Sequence, residues 1–229
     1  MDLISGGFRA KGPYREASVN DGIETAAGIF SGERGSMLAE LQTRRFTADE
    51  FYRMGEAGVF GPEERLELIE GEILEMSPIG DRHMVCVDQA SELFILAFKG
   101  KAKVRGQGSF RLNKRNVPQP DLVLFRPNVD YPTTTRAKPE NCFLVIEVSD
   151  SSLRYDTNIK VPIYAKTGIP EVWIEDLKND LLLVYRNPSS EGYNTTLSLT
   201  PDDSVSLSAF PEISFSVREL LLTGLPIVD

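Results

Sequence analysis

The sequence has few of the residues that bind zinc or form disulfide bonds. Its 229 residues include two cysteines, Cys86 and Cys142, and a single histidine, His83. A structural zinc ion takes about four cysteine or histidine ligands at close spacing, so a zinc site is not expected. Neither cysteine belongs to a Cys-x-x-Cys pair, and we interpret both as reduced, structural residues, as is typical of cytoplasmic proteins.

Long apolar segments are also missing. No apolar run approaches the ~20 residues that a membrane-spanning helix needs, and residues 1–20 contain no long apolar segment of the kind found in signal peptides. The chain also lacks a Gly-x4-Gly-Lys phosphate-binding loop and the turn that carries the nucleophile of serine hydrolases. We therefore expect a cytoplasmic protein with no membrane segment and with neither of these two chemistries.

Basic residues are fewer than acidic ones, with 25 Lys and Arg against 34 Asp and Glu and a net charge of −9. This balance argues against a general nucleic-acid coat protein. The charge is uneven, however: residues 98–116 hold seven Lys or Arg and no acid, whereas residues 63–75 hold six Glu and one Arg. Two interpretations remain open: solvent-exposed faces of hairpins and loops, or a basic rim beside an acidic pocket.

The pattern of apolar residues predicts an α/β domain. Residues 1–40 are rich in small residues without a sustained period, and we expect a loosely ordered extension there, followed by a single domain over residues 41–229. Within that domain the predicted order is a short helix, a hairpin, a longer helix, three strands, a helix and two strands. Thr47 and Glu50 form a capping-box pattern for the first helix, the hairpin turns at Glu70-Gly71, and residues 103–112 read as one strand with a bend at glycine. This order predicts a mixed central sheet flanked by helices, plus an N-terminal hairpin and helix.

Three charged residues stand out against the apolar pattern. Asp121 opens one apolar strand, Glu147 lies near the end of the next, and Lys160 follows at the start of a helix. Neighbouring strands lie ~4.8 Å apart, so both carboxylates would meet at one edge of the sheet if these strands are neighbours. Each residue alone has a simpler interpretation that the sequence leaves open: a turn residue, a solvent-facing strand end and a solvated surface charge, respectively.

Paired carboxylates of this kind predict a site for a divalent cation. Two anions this close raise each other's pKa unless a cation lies between them. Oxygen ligands suit a hard ion, Mg²⁺ or Mn²⁺, which can acidify a bound water and polarise a phosphodiester. A lysine beside such an ion would orient the water or offset charge in the transition state.

Weaker candidates surround this trio. His83 opens a helix, where it is either a phosphate or ligand contact or a polar cap residue. Glu72 is either a further carboxylate supplied by the hairpin or a solvated strand residue. Asp156 is best explained as a helix cap.

Several motifs around these residues resemble one known family. The motifs are Pro120-Asp121, Ile146-Glu147-Val148-Ser149, Lys160 with Tyr164-Ala165 and Gly168, and Pro170-Glu171-Val172-Trp173. With the upstream segments LELIEGEILEMSP and RHMV, they closely resemble the Uma-two family of endonucleases, which belongs to the PD-(D/E)XK nuclease superfamily. The resemblance covers roughly residues 43–187.

The resemblance implies a restriction-endonuclease-like core and a metal-dependent phosphodiesterase site. Asp121 and Glu147 would be metal ligands, with Glu72 as a further candidate, and His83 would lie at the start of the family's helix. Ser149 stands where the superfamily has its lysine, two residues after Glu147, so the resemblance implies that Lys160 takes over that role.

We therefore expect an endonuclease that uses Mg²⁺ or Mn²⁺ and cuts phosphodiester bonds, with DNA as the expected polymer and the basic stretch 98–116 in contact with its phosphates. Nucleases that act on duplexes often work in pairs, because two strands need two cuts, so a homodimer is left open. The alternative is a catalytically inactive nuclease-fold module that binds protein or nucleic acid. The net negative charge and the serine at position 149 favour that alternative.

Overall fold

The computed structural model describes residues 43–127 and 138–223, and the extension predicted over residues 1–40 lies outside them. In the described residues the α-helices are α1 Ala48–Glu56, α2 Asp81–Ala97, α3 Leu153–Tyr155, α4 Val161–Lys166 and α5 Val217–Leu221. A π-helical turn, Asp156–Lys160, joins α3 to α4, and a 3-10 turn, Pro139–Asn141, precedes the longest central strand. No helix in these residues combines the length and apolar character that crossing a membrane requires.

A six-stranded mixed sheet forms the centre, in the order β3-β4-β5-β6-β7-β8. Its strands are β3 Lys103–Gly106, β4 Leu122–Phe125, β5 Cys142–Ser149, β6 Glu171–Asp176, β7 Leu181–Ser189 and β8 Gly192–Leu199. Strands β5 and β6 are parallel, and the other neighbours are antiparallel. A parallel pair needs a long crossover, which α3, the π turn and α4 supply. The predicted α/β fold with a mixed sheet is confirmed.

Two smaller antiparallel pairs lie outside the central sheet. Their strands are β1 Leu66–Ile69 with β2 Glu72–Glu75, and β9 Ser204–Leu207 with β10 Phe210–Ser216. The turn of the first hairpin lies at Glu70-Gly71, as predicted, and both residues have positive φ, 50° and 82°. A Cβ at Gly71 would approach Arg45 Cβ to 2.8 Å, so both the turn and the close approach require glycine there.

The helices cover the two faces of the sheet with separate cores. Helix α2 packs on one face, where the Phe94 and Trp173 rings lie 5.9 Å apart. Helix α4 packs on the other face, where Tyr164 is fully buried beside Val145 and Ile174. Because side chains alternate along a strand, each central strand supplies residues to both cores.

The first hairpin is joined to the rest of the domain through the segment after β3. Residues 103–112 were predicted as one strand with a bend at glycine, but β3 ends at Gly106. The following loop runs back to the hairpin, where Leu68 and Val117 exchange backbone hydrogen bonds of 3.1 and 2.7 Å. Helix α1 begins at the predicted capping box, since Thr47 and Glu50 bond each other's backbone N–H groups.

Candidate active site

Asp121 and Glu147 lie opposite each other at one end of the neighbouring strands β4 and β5 in the central sheet. Leu122 of β4 pairs with Ile146 of β5 in an antiparallel register, so Asp121 lies opposite Glu147, one position further along. Directly opposite residues project to the same face of the sheet. Both line a cavity of about 550 Å³, together with Lys160 and His83. The sequence-based candidates Asp121, Glu147, Lys160 and His83 are thus brought together.

Asp121 is held by one of its two carboxylate oxygens. Its Oδ2 accepts a hydrogen bond from the backbone N–H of Val148 at 2.8 Å and lies 3.1 Å from His83 Nε2. Its Oδ1 accepts no hydrogen bond from the described part of the chain. His83 belongs to the first turn of α2, which explains how a helix on one face of the sheet reaches the edge carboxylate.

Glu147 is almost completely buried, with 2% of its surface exposed. Lys160 Nζ lies 3.3 Å from both of its carboxylate oxygens, and the Tyr164 hydroxyl donates to Oε1 at 2.5 Å. Burial raises the pKa of Glu147 well above its ordinary value, and the Lys160 ammonium opposes that shift. The glutamate is therefore tolerated in the core because a buried cation and a phenol pair with it.

Lys160 is surrounded by three carboxylates and is 3% exposed. Its Nζ lies 3.0 Å from Glu67, 3.3 Å from Glu147 and 3.6 Å from Asp156. Burial alone would lower the pKa of Lys160, but these carboxylates reverse the effect and raise the pKa far above its ordinary value. Lys160 consequently stays charged, and its charge is matched inside the protein.

Asp156 is not the helix cap that the sequence suggests. It lies in the π turn between α3 and α4, with 2% of its surface exposed, and helical backbone precedes it from Leu153. The Ser149 and Ser152 hydroxyls donate to its Oδ2 at 2.7 and 2.5 Å. Ser149, which stands where a lysine was expected, thus holds a carboxylate that pairs with Lys160.

Glu72 is not brought to the cavity. It lies beside the hairpin turn, more than half exposed, and its carboxylate pairs with Arg45. The carboxylate that the hairpin does supply is Glu67, which accepts from the Gln119 backbone N–H at 2.7 Å and from the Tyr155 hydroxyl at 3.3 Å. Glu72 therefore matches the interpretation of a solvated strand residue, and the hairpin carboxylate that lines the cavity comes from β1 rather than β2.

None of the seven basic residues of the stretch 98–116 lines the cavity. Lys101 pairs with Glu212 at 3.5 Å, and Arg111 pairs with Asp49 at 2.6 Å. The Arg105 guanidinium packs 4.8 Å from the centre of the Phe125 ring. The expected basic rim is therefore distributed over other parts of the surface.

The cavity lining is strongly acidic. Two cations line it, Lys160 and Arg65, and the carboxylates that line it are Glu67, Glu75, Asp121, Glu147, Asp150 and Asp156. Sequence reasoning missed Arg65 as a site residue, although its spacing from Glu67 in an alternating strand places both on one face of the hairpin. Glu175 of β6 is a fully buried carboxylate outside this lining, and burial, followed by Asp121, raises its pKa well above its ordinary value.

The donor chemistry of this cavity fits a hard divalent ion. Mg²⁺ is usually held by one or two carboxylates while water and substrate phosphates complete its shell. Asp121 Oδ1 and the adjacent Glu147 carboxylate supply such oxygens. Among the described residues, however, no three His, Cys, Asp or Glu side chains group closely enough to hold a metal ion by themselves.

Comparison with known proteins points to nucleases. Residues 48–218 match the model of the Uma2 (Uma-two) family, described as "Putative restriction endonuclease". A search of curated proteins finds no match.

Among solved structures, the fold is similar to that of a "putative nuclease belonging to DUF820 from Anabaena variabilis ATCC 29413". That similarity has a TM-score of 0.61 and 20% identity, and it covers 77% of this chain and 98% of that one. The type IIG restriction endonuclease BpuSI matches with a TM-score of 0.37 and 10% identity over 64% of this chain and 17% of its own, which is too low to support an argument. Because the family model spans most of the sequence, this chain belongs to the Uma2 family of restriction-endonuclease-like proteins.

Proposed function

We propose that this protein is a divalent-metal-dependent endonuclease that hydrolyses phosphodiester bonds in DNA. The observation that carries the proposal is the pairing of Asp121 with Glu147 across two adjacent strands, beside Lys160, in one cavity. Membership of a restriction-endonuclease family supports a nuclease function and, with it, a nucleic-acid substrate.

In this proposal Asp121 and Glu147 would hold Mg²⁺ or Mn²⁺, and the ion would supply the chemistry of acidifying a water and polarising the phosphodiester. His83 and the Val148 N–H engage Asp121 Oδ2, which leaves Oδ1 without a hydrogen-bond partner among the described residues. Lys160 and Tyr164 fix both oxygens of Glu147, so the carboxylate cannot rotate away. The charge of Lys160 is already matched by three carboxylates, so its role in this proposal is to orient the attacking water beside the ion.

A plasmid-nicking assay tests the proposal. The purified protein with Mg²⁺ is expected to convert supercoiled plasmid to the nicked form, and Asp121→Asn is expected to abolish this conversion. Asp88→Asn is the matched control, because Asp88 is an exposed aspartate on α2 that does not line the cavity. Equal nicking by wild type and Asp121→Asn would refute the assigned role of Asp121.

The second candidate is a nuclease-fold module without catalytic activity. Both carboxylate oxygens of Glu147 already have partners within the protein, so no separate cation is needed to neutralise this residue. This arrangement favours the inactive module. Calorimetric titration with Mn²⁺ discriminates between the two. A folded wild type that binds no Mn²⁺ at millimolar concentration supports the inactive module, whereas binding that Asp121→Asn removes supports the enzyme.

Cleavage of both strands needs two cuts, and two copies of the site could make both in one binding event. We accordingly propose a homodimer on duplex DNA, formed through the domain of residues 41–229. Sedimentation velocity with and without a short duplex tests it: a species of two chains is expected on the duplex, and one chain per duplex at saturating protein would contradict it.

A further inference from the structure

The acidic cavity presents an electrostatic problem for a phosphodiester substrate. Six carboxylates line it, and the cation nearest to Glu147, Lys160, is already matched by three of them. A buried cation with this many anionic partners has little attraction left for an incoming phosphate. A phosphate therefore needs a further positive group at the cavity, beyond the metal ion of the proposed function.

Arg65 is the other cation of the cavity lining. It precedes β1, and its backbone carbonyl accepts from the Met76 N–H at 2.8 Å, so the hairpin pairing extends to this position and fixes it. Strand alternation then places the side chains of Arg65 and Glu67 on the same face, over the cavity. Arg65 is partly exposed, unlike Lys160.

The guanidinium group of Arg65 has no hydrogen bond, ion pair or ring contact with the described residues 43–127 and 138–223. Two other arginines near the hairpin do have such partners, since Arg45 pairs with Glu72 and Arg111 pairs with Asp49. A planar guanidinium presents a fork of N–H donors that matches two phosphate oxygens, and it remains charged at any physiological pH.

We propose that Arg65 is a substrate-positioning residue that binds a backbone phosphate of the nucleic-acid strand beside the Asp121–Glu147 pair. This inference rests on the proposed function for its choice of ligand. It also assigns to a single arginine of the hairpin the phosphate contact that the sequence suggested for the basic stretch 98–116.

Fluorescence anisotropy with a short labelled DNA strand, in Ca²⁺, tests the inference without relying on cleavage. Arg65→Ala is expected to weaken binding by about tenfold to a hundredfold, as for the loss of a hydrogen bond to a charged group. It should also lower the slope of log affinity against log salt by about 1. Arg65→Lys, which keeps the charge but not the fork, should recover part of the affinity and most of the slope.

Lys166→Ala is the matched control, because it removes one charge from an exposed residue at the far end of α4. Unchanged affinity and salt slope in Arg65→Ala, or equal changes in Lys166→Ala, would overturn the inference, as would a wild type that binds no strand.

The nicking assay keeps this inference separate from the proposed function. Binding that depends on Arg65, without nicking, would support the phosphate contact and refute the proposed endonuclease activity. Nicking by Arg65→Ala with an unchanged KM would support the proposed endonuclease activity and refute the phosphate contact of Arg65.

Discussion

Glu147 and Glu175 are two buried glutamates on neighbouring strands, and the sheet separates their surroundings. Glu147 pairs in register with Ile174 and faces the α4 side, whereas Glu175 pairs with Val148 and faces the α2 side. Glu147 has Lys160 and Tyr164 as partners. Both carboxylate oxygens of Glu175 are buried without a hydrogen-bond partner in the described residues.

The difference shows that burial alone does not tell a carboxylate of the cavity from one inside the core. Burial raises the pKa of both residues, but Glu147 borders the cavity with a cation beside it, and Glu175 does not line the cavity. An unpaired buried carboxyl costs folding free energy, while a paired one holds a defined geometry. We therefore expect substitutions of paired and of unpaired buried charges to change stability in opposite directions.

The largest effect is expected from Lys160→Met. The substitution removes the shared partner of Glu67, Glu147 and Asp156 and leaves three buried carboxylates uncompensated. Breaking a buried ion pair in this way costs about 3–5 kcal/mol in the free energy of unfolding. Urea denaturation at neutral pH measures it. Lys166→Met, on the exposed end of α4, serves as control, and a similar small change in both variants would contradict the assigned role of the buried charge.

Glu175→Leu is expected to stabilise the protein by about 1–3 kcal/mol, because it removes an unsatisfied buried carboxyl from an apolar face. Glu171→Leu, on the same strand, should have the opposite sign. Glu171 is also buried, but it accepts hydrogen bonds from Trp173, Arg186 and Ser208 at 2.7 to 2.9 Å. Chemical denaturation of both variants compares them, and destabilisation by Glu175→Leu would show that the carboxyl has a partner.

The stabilisation by Glu175→Leu is expected to depend on pH. The unfolded carboxyl titrates near 4.5, and burial followed by Asp121 raises the pKa of the folded one. Below pH 4.5 the carboxyl is protonated in both states. As the pH rises towards the folded pKa, the unfolded chain releases its proton first and wild-type stability falls relative to the variant. The advantage of Glu175→Leu should therefore be smallest in acid, as measured by urea midpoints, and a constant difference would contradict the raised pKa.

Tyr164→Phe should produce the smallest change. It removes the hydroxyl that donates to Glu147 at 2.5 Å and leaves the ring packed in its core. Losing one hydrogen bond to a charged group costs about 1.5 kcal/mol. Thermal unfolding measures the cost. Tyr185→Phe is the control, since Tyr185 is a partly buried tyrosine of β7 that lies outside the cavity lining.

The main architecture and the central pair of carboxylates could be predicted from the sequence. Apolar runs bounded by proline and serine revealed β4 and β5, and the antiparallel register then placed Asp121 opposite Glu147. The capping box at Thr47 was likewise readable, because it depends on residues three positions apart. Patterns among residues that are close in the sequence can be recognised without knowing which distant segments contact each other.

The remaining parts of the site depend on long-range packing. Glu67 reaches Lys160 only because the hairpin contacts the segment at Val117, a pairing that no local pattern encodes. Asp156 reads as a cap from its neighbours, but the helix already begins at Leu153. The start of the helix is also hard to identify from the sequence, because a proline normally interrupts a helix. Here the π turn lies directly before α4, and its wider backbone accommodates Pro162, which has no N–H to donate.

The hairpin gives the cavity a wall that the central sheet does not build. Its residue Glu67 is one of the three carboxylates around Lys160, so the charge balance of that ammonium group depends on an element outside the central sheet. A change at the Leu68–Val117 contact would therefore alter the surroundings of Lys160 without replacing any of the residues that surround it.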